Sequence, residues 1–290
     1  MYTCPVEQME ITLNQTDSYR RWQIIWQLHR LDVRRIGVSR ILNSGSLVII
    51  RSVLFSYTLG VWIFAIVFDI QQGEMSGHFA YFTHLCYTGL LAYLGASLIH
   101  TVGFWRCGGE PSSFTGMPRT LQLLHWLLFE SALVYAIVVT TMFWGLIYKA
   151  KIYDTAEHRW LNASVHATNA VCIFVDAAVG GMVFSAHWTH PLVLATVMVL
   201  YLVLAFLNKA INGWFVYDFI DYEKHGWVVM GTALGIAVGI VVIYYALYGI
   251  LMLLDRMLPP KFTTELLLSD ENSIKDKEPT IDAALNVHAV

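Results

Sequence analysis

The stretch LNASVHATNAVCIFVDAAVGGMVF, Leu161–Phe184, decides how this chain is read. It is long and apolar enough to cross a bilayer, yet it carries Asn162, His166, Asn169 and Asp176. At 100° per residue these four fall within about 80° of arc and form one polar stripe on a helix. Polar and ionisable groups at membrane depth are costly and usually face a bundle interior, a partner or a cavity. The stripe is therefore a candidate functional site, with His166 as its most reactive member.

Working outward, the composition agrees with a membrane protein. Of 290 residues, 57% are hydrophobic and only 13% charged, about half of what a soluble domain carries. Six apolar segments are predicted to span, near 46–69, 79–104, 121–148, 161–184, 190–211 and 227–253. The expected fold is all-α, a polytopic integral membrane protein with six transmembrane helices. Three regions follow: a leader over 1–45, a transmembrane domain over 46–253 and a flexible tail over 254–290. No signal peptide is read at the start, since the first apolar run follows an Arg-rich leader.

Lys and Arg set the expected orientation. Twelve lie in the leader, the second loop and the tail, against five on the opposite side. Both termini are thus expected in the cytosol. The leader from Tyr19 to Leu42 interleaves Trp22, Ile25 and Trp26 with arginines, the pattern of an amphipathic helix on the cytosolic leaflet or packed on the bundle. The four cysteines, Cys4, Cys86, Cys107 and Cys172, form no CxxC pair, so neither a zinc ribbon nor a disulfide framework is expected; Cys107 reads as a thiol at a membrane boundary. Gly231, Gly235 and Gly239 form a small-residue ridge suited to helix packing.

Counting along the predicted spans brings two reactive side chains to one depth. Thr83 lies four residues into the second span and His166 five into the fourth, both from the non-cytosolic face. These depths are roughly 6 and 7.5 Å. A hydroxyl becomes a nucleophile when an adjacent base takes its proton, and His is the usual base. Asn162 and Asn169 flank His166 at helical spacing and could orient it or steady an oxyanion. Tyr87, one turn beyond Thr83, shares its face. Asp176 is too far along the helix to touch the imidazole. It reads, like Glu130 in the third span, as lining a cavity or pairing helices. His84 projects away from the Thr83 face. Spacing alone leaves the Thr–His pair open between a catalytic dyad and two separately satisfied polar groups. A second group, His100, His125, His187 and His190, falls near the opposite face. It reads as interfacial histidines, with a metal site as the alternative. No metal and no organic cofactor are expected.

Several motifs carry a resemblance. Trp160-Leu161-Asn162-Ala163-Ser164-Val165-His166 resembles the Trp-Leu-Asn-x-x-x-His motif of the androgen-induced gene family, which has rolling stone proteins as relatives. Asp176 stands where vertebrate members have Glu. Tyr81-Phe82-Thr83-His84-Leu85 is similar to that family's Leu-Thr-Phe motif, and Gly213-Trp214-Phe215-Val216-Tyr217-Asp218-Phe219 to its Gly-x-Trp-Val-Tyr-Pro-Phe segment. The resemblance covers roughly residues 46–253 and looks closest to a fungal and invertebrate branch. It departs at His84, where vertebrate members have an apolar aromatic residue. It implies a six-pass threonine hydrolase that cleaves fatty acid esters of hydroxy fatty acids, with Thr83 as nucleophile and His166 as base. The implied partner is a membrane lipid or fatty ester, not nucleic acid, in the endoplasmic reticulum or plasma membrane. The alternative class is a non-enzymatic multi-pass protein: a lipid sensor, a transporter, or a rolling-stone-like fusion or adhesion factor.

Overall fold

The computed structural model describes residues 23–107, 117–148 and 155–260. Its main elements are helices: α1 (Ser44–Gln72), α2 (Phe82–Arg106), α3 (Arg119–Met142), α4 (Ala156–Ala163), α5 (Asn169–Val179), α6 (Thr189–Asn212), the single turn α7 (Tyr222–His225) and α8 (Val228–Met257). A π turn, Phe143–Ile147, extends α3. A second, Ser164–Thr168, joins α4 to α5. Among the described residues, five helices are long and apolar enough to cross a membrane: α1, α2, α3 with its π turn, α6 and α8. The predicted fourth span is instead a composite, α4, π turn and α5, which starts five residues before the expected Leu161 and stops at Val179.

Local chemistry sets these limits. The Asn43 side chain accepts from Ser46 N at 2.8 Å and caps α1, and Gly73, at φ 74°, ends it. Thr155 caps α4 by accepting from His158 N. Gly213, at φ 81°, closes α6. Outward faces of the long helices carry exposed Ile49, Leu200 and Val242, each more than half exposed, as expected where lipid replaces water. In contrast, α3 is the central helix: 67% of its span is buried, against 17–39% for the other four. It packs against α2, α5 and α8, while α1 packs mainly on α2 and α6 on α8.

The end of α5 explains why the fourth helix is shorter than its apolar run. Gly180 and Gly181 follow Val179, and the leader closes over them. Ser39 pairs with Gly180 in an isolated antiparallel bridge. Arg40 N and Ser39 Oγ both donate to Val179 O, and the Arg40 guanidinium donates to Ala177 O and Met182 O. Arg35 donates to Gly181 O and pairs with Asp255 of α8 at 2.8 Å. Burial lowers the Arg40 pKa, with neighbouring Arg35 acting the same way and Asp255 opposing both. The described part of the leader is thus not one amphipathic helix. It forms 3-10 turns at Leu28–Arg30 and Val33–Ile36, because its arginines find carbonyl and carboxylate partners in the bundle. The rest of the leader, and the tail from Lys261, lie outside the described residues.

Two further expectations change. Cys107 is disulfide-bonded, whereas Cys86 and Cys172 are free; sequence spacing cannot report which thiols meet in space. Gly231, Gly235 and Gly239 have no neighbour within 4 Å of where a Cβ would stand, so the glycine ridge makes no close helix contact in this chain.

Candidate active site

Thr83 and His166 line one cavity of ≈ 770 Å³ of free space, counted with its open mouth. Its walls come from the start of α2, the end of α3, both π turns, α6, the Tyr217 loop and α8. They are almost wholly apolar, with Val138, Met142, Met198, Leu202 and Ile236 among them. Such apolar walls suit a hydrocarbon chain, and their few polar groups would fix where a polar headgroup sits.

Depth counting does not explain why both residues line one cavity. The helices begin at Phe82 and Ala156, so Thr83 is in the first turn of α2 whereas His166 is well along its own helix. The π turn Ser164–Thr168 packs against α2 and α3 and brings the imidazole to the cavity. A π turn widens the backbone and leaves carbonyls to be satisfied from outside. Thr140 Oγ1 donates to His166 O at 2.6 Å, and Tyr57 Oη lies 3.0 Å from Ser164 Oγ. The two π turns face each other, with Phe143 stacked on the His166 ring at a centroid distance of 3.6 Å and 4° between planes. That contact fixes the ring plane. His166 Nδ1 is buried with no hydrogen-bond partner.

Tyr217 is the functional candidate that residue-by-residue reading passed over. It stands in a motif that carried the family resemblance, but its loop position gave no sign of where the ring would point. Its hydroxyl accepts from Phe82 N at 3.1 Å and is in hydrogen-bonding range of the Thr83 side chain. Burial pushes its phenol up to about 12, so at neutral pH it remains a proton donor.

The remaining stripe residues make other contacts. Asn162 donates to His158 O at 2.9 Å, and the Asn169 side-chain oxygen accepts from Ala170 N. Tyr87 packs in a small cluster with Val61, Leu161 and Val165, and its hydroxyl is buried without a partner. Asp176 forms a fully buried ion pair with Arg51 at 2.7 Å and accepts from Tyr93 Oη at 2.6 Å. Arg51 also reaches Thr101 Oγ1 and Ile36 O. A lone Arg within the first apolar run was the available signal for this pairing, since such a charge needs a counter-ion. Glu130 accepts from Ser185 N, His190 Nδ1 and Tyr244 Oη, all within 2.9 Å.

The four histidines near the opposite face do not share one site. His190 is held by Glu130 and by Trp26 O, and His187 Nδ1 lies 3.0 Å from Thr189 Oγ1. His100 and His125 meet edge to face, with centroids 5.8 Å apart. These are contacts within the protein.

Comparison with known proteins gives one match. The sequence profile of the family described as FAR-17a/AIG1-like protein matches residues 45–253. No curated protein and no solved structure matches the chain.

Proposed function

Because the chain belongs to the FAR-17a/AIG1-like protein family, the androgen-induced gene 1 family, we propose that it is a membrane-embedded lipid ester hydrolase. One observation carries the reading: Thr83 and His166, named by motif, line the same apolar cavity. The substrate class that fits is a fatty acid ester of a hydroxy fatty acid, its acyl chains lying among α3, α6 and α8.

In this mechanism Thr83 Oγ1 attacks the ester carbonyl carbon as His166 takes the hydroxyl proton. The resulting oxyanion receives a hydrogen bond from Tyr217, a neutral phenol already beside Thr83. Collapse expels the alkoxide, which takes the proton from His166 and leaves as the alcohol. The acyl-threonine is then hydrolysed by water that His166 deprotonates, regenerating the hydroxyl. Asp176 cannot serve as the third member of a triad, since Arg51 and Tyr93 hold it. The orientation of the imidazole falls instead to Phe143 stacking and the π turn. Asn169, one turn beyond His166, is a supporting residue that would act by changing rotamer. The proposed arrangement is a six-pass chain with both termini in the cytosol, the composite α4–α5 helix completing the set as the fourth span in chain order.

Purified protein in lipid, given a fluorophosphonate probe and a branched fatty ester, tests this. Turnover and labelling should fall about 100-fold or more in Thr83→Ala and in His166→Ala, with Thr83→Ser retaining activity. Wild-type turnover in two folded variants would remove the hydrolase mechanism. It would leave the cavity as a lipid-binding site of a non-enzymatic protein, a reading favoured by how many stripe residues make helix contacts.

A further inference from the structure

A second open space lies beside the Thr83 cavity, between α2, α3 and α6. It holds ≈ 750 Å³ of free space, counted with its open mouth. Phe82 and Tyr201 line both spaces, with their ring centroids 4.8 Å apart. Phe82 directly precedes Thr83, so the groove starts one residue from the candidate nucleophile. From there it follows one face of α2 through Leu85, Cys86 and Gly89, which stand at helical spacing.

Two observations limit what the groove can hold. Its outer rim is Val197, Leu200 and Leu204 of α6, all three exposed. Helix α6 runs from Thr189 to Asn212, so this rim lies about 12 Å or more from either end. At that depth a bilayer offers hydrocarbon chains rather than headgroups. The lining also carries the hydroxyls of Ser131, Tyr135 and Tyr201, and each is engaged within the protein. Ser131 Oγ donates to Leu128 O at 3.0 Å, Tyr135 Oη to Leu194 O at 2.7 Å, and Tyr201 Oη to Ala80 O at 3.0 Å. With their protons committed, these hydroxyls leave no donor for a carboxylate, whose burial without one is costly.

We infer that this groove is the subsite for the alkyl tail on the alcohol side of a branched fatty ester. Such an ester carries three chains: the acyl chain and, on the alcohol carbon, an alkyl tail and a chain that ends in a carboxylate. The acyl chain becomes bonded to Thr83 and belongs in the cavity that Thr83 lines. The carboxylate chain finds no donor in the groove. The alkyl tail meets neither objection, and the rim at mid-bilayer lets it enter sideways from the membrane. When the acyl-threonine forms, the alcohol leaves by the same path. The assignment rests on the hydrolase reading, and it makes the groove the part of the site that tells a branched ester from an unbranched one.

Gly89 gives the means to test it. A Cβ there would touch Leu128 Cδ1 at 3.9 Å, an ordinary contact, so Gly89→Phe fills the groove without displacing backbone. The full chain in lipid vesicles is given palmitate esters of β-hydroxystearic acid and of β-hydroxybutyric acid, which differ only in the alkyl tail. Wild type should favour the long-tailed ester in kcat/KM by about 10-fold or more. Gly89→Phe, and Val197→Trp at the rim, should each cut that preference about 10-fold, with thermal midpoints as folding controls. Equal kcat/KM for the two esters in wild type overturns the inference and leaves the hydrolase standing. So does an unchanged preference in the folded variants. If neither ester turns over, the hydrolase reading fails and photolabelling decides the groove. A β-hydroxystearate ester with a diazirine at the end of its tail should label groove peptides in wild type and not in Gly89→Phe. Labelling elsewhere, or labelling displaced equally well by phosphatidylcholine, overturns the inference. The wild-type arms decide alone if the variants misfold.

Discussion

Tyr217 and Arg51 show how single side chains divide between chemistry and cohesion. Tyr217 lies beside Thr83 as a neutral phenol and lines the same apolar cavity, where it can donate to an oxyanion. Tyr217→Phe should lower kcat about 10- to 1,000-fold with little change in KM, since the bond matters most when charge develops. Steady-state kinetics on a fatty ester separates that outcome from a structural role, which would show in the thermal midpoint. Arg51 is the opposite case. Its ion pair with Asp176 is fully buried, and Tyr93 and Thr101 complete it. Arg51→Met leaves a buried carboxylate uncompensated and should destabilise by about 3–5 kcal/mol, read as a lower thermal midpoint in detergent. Adding Asp176→Leu should recover most of the loss, because the pair's Coulomb gain is largely spent on desolvation.

At the scale of elements, the informative feature is the α4–π–α5 helix. Its middle is widened at His166, and its end is closed by the leader through Ser39 and Arg40. Gly180 makes that closure possible. A Cβ there would stand 2.8 Å from Asp176 O and 3.1 Å from an Arg51 guanidinium nitrogen. Gly180→Ala must therefore shift either the helix end or the buried ion pair. A destabilisation of about 1–3 kcal/mol is expected, seen as a lower midpoint with the fold retained. The sequence announced a polar helix here and placed Asn162, His166, Asn169 and Asp176 on one face. It could not announce the π turn, which is set by Thr140, Tyr57 and Phe143 arriving from other helices.

For the whole molecule, the charge count and the disulfide point in different directions. The Lys and Arg count argues for a cytosolic loop after α2, yet Cys107, at its start, is disulfide-bonded, and disulfides belong to oxidising compartments. The proposed orientation with cytosolic termini is tested with epitopes at each end in sealed microsomes. Both should be digested by external protease. Protection of both would reverse the orientation and place Cys107 on the oxidising side. Beyond orientation, the architecture depends on α3 as its buried centre, where Glu130 gathers Ser185, His190 and Tyr244 from three other parts of the chain.

Apolar run length determined the helical segments of this protein, because a bilayer leaves a backbone few other ways to satisfy its hydrogen bonds. Short motifs determined the family and named Thr83 and His166. Tertiary structure decided what those residues face. The partner of Asp176, the ring beside Thr83 and the groove that Phe82 borders all depend on contacts between separate segments. Periodicity assigns a side chain to a face of its own helix, and only packing decides what stands opposite that face.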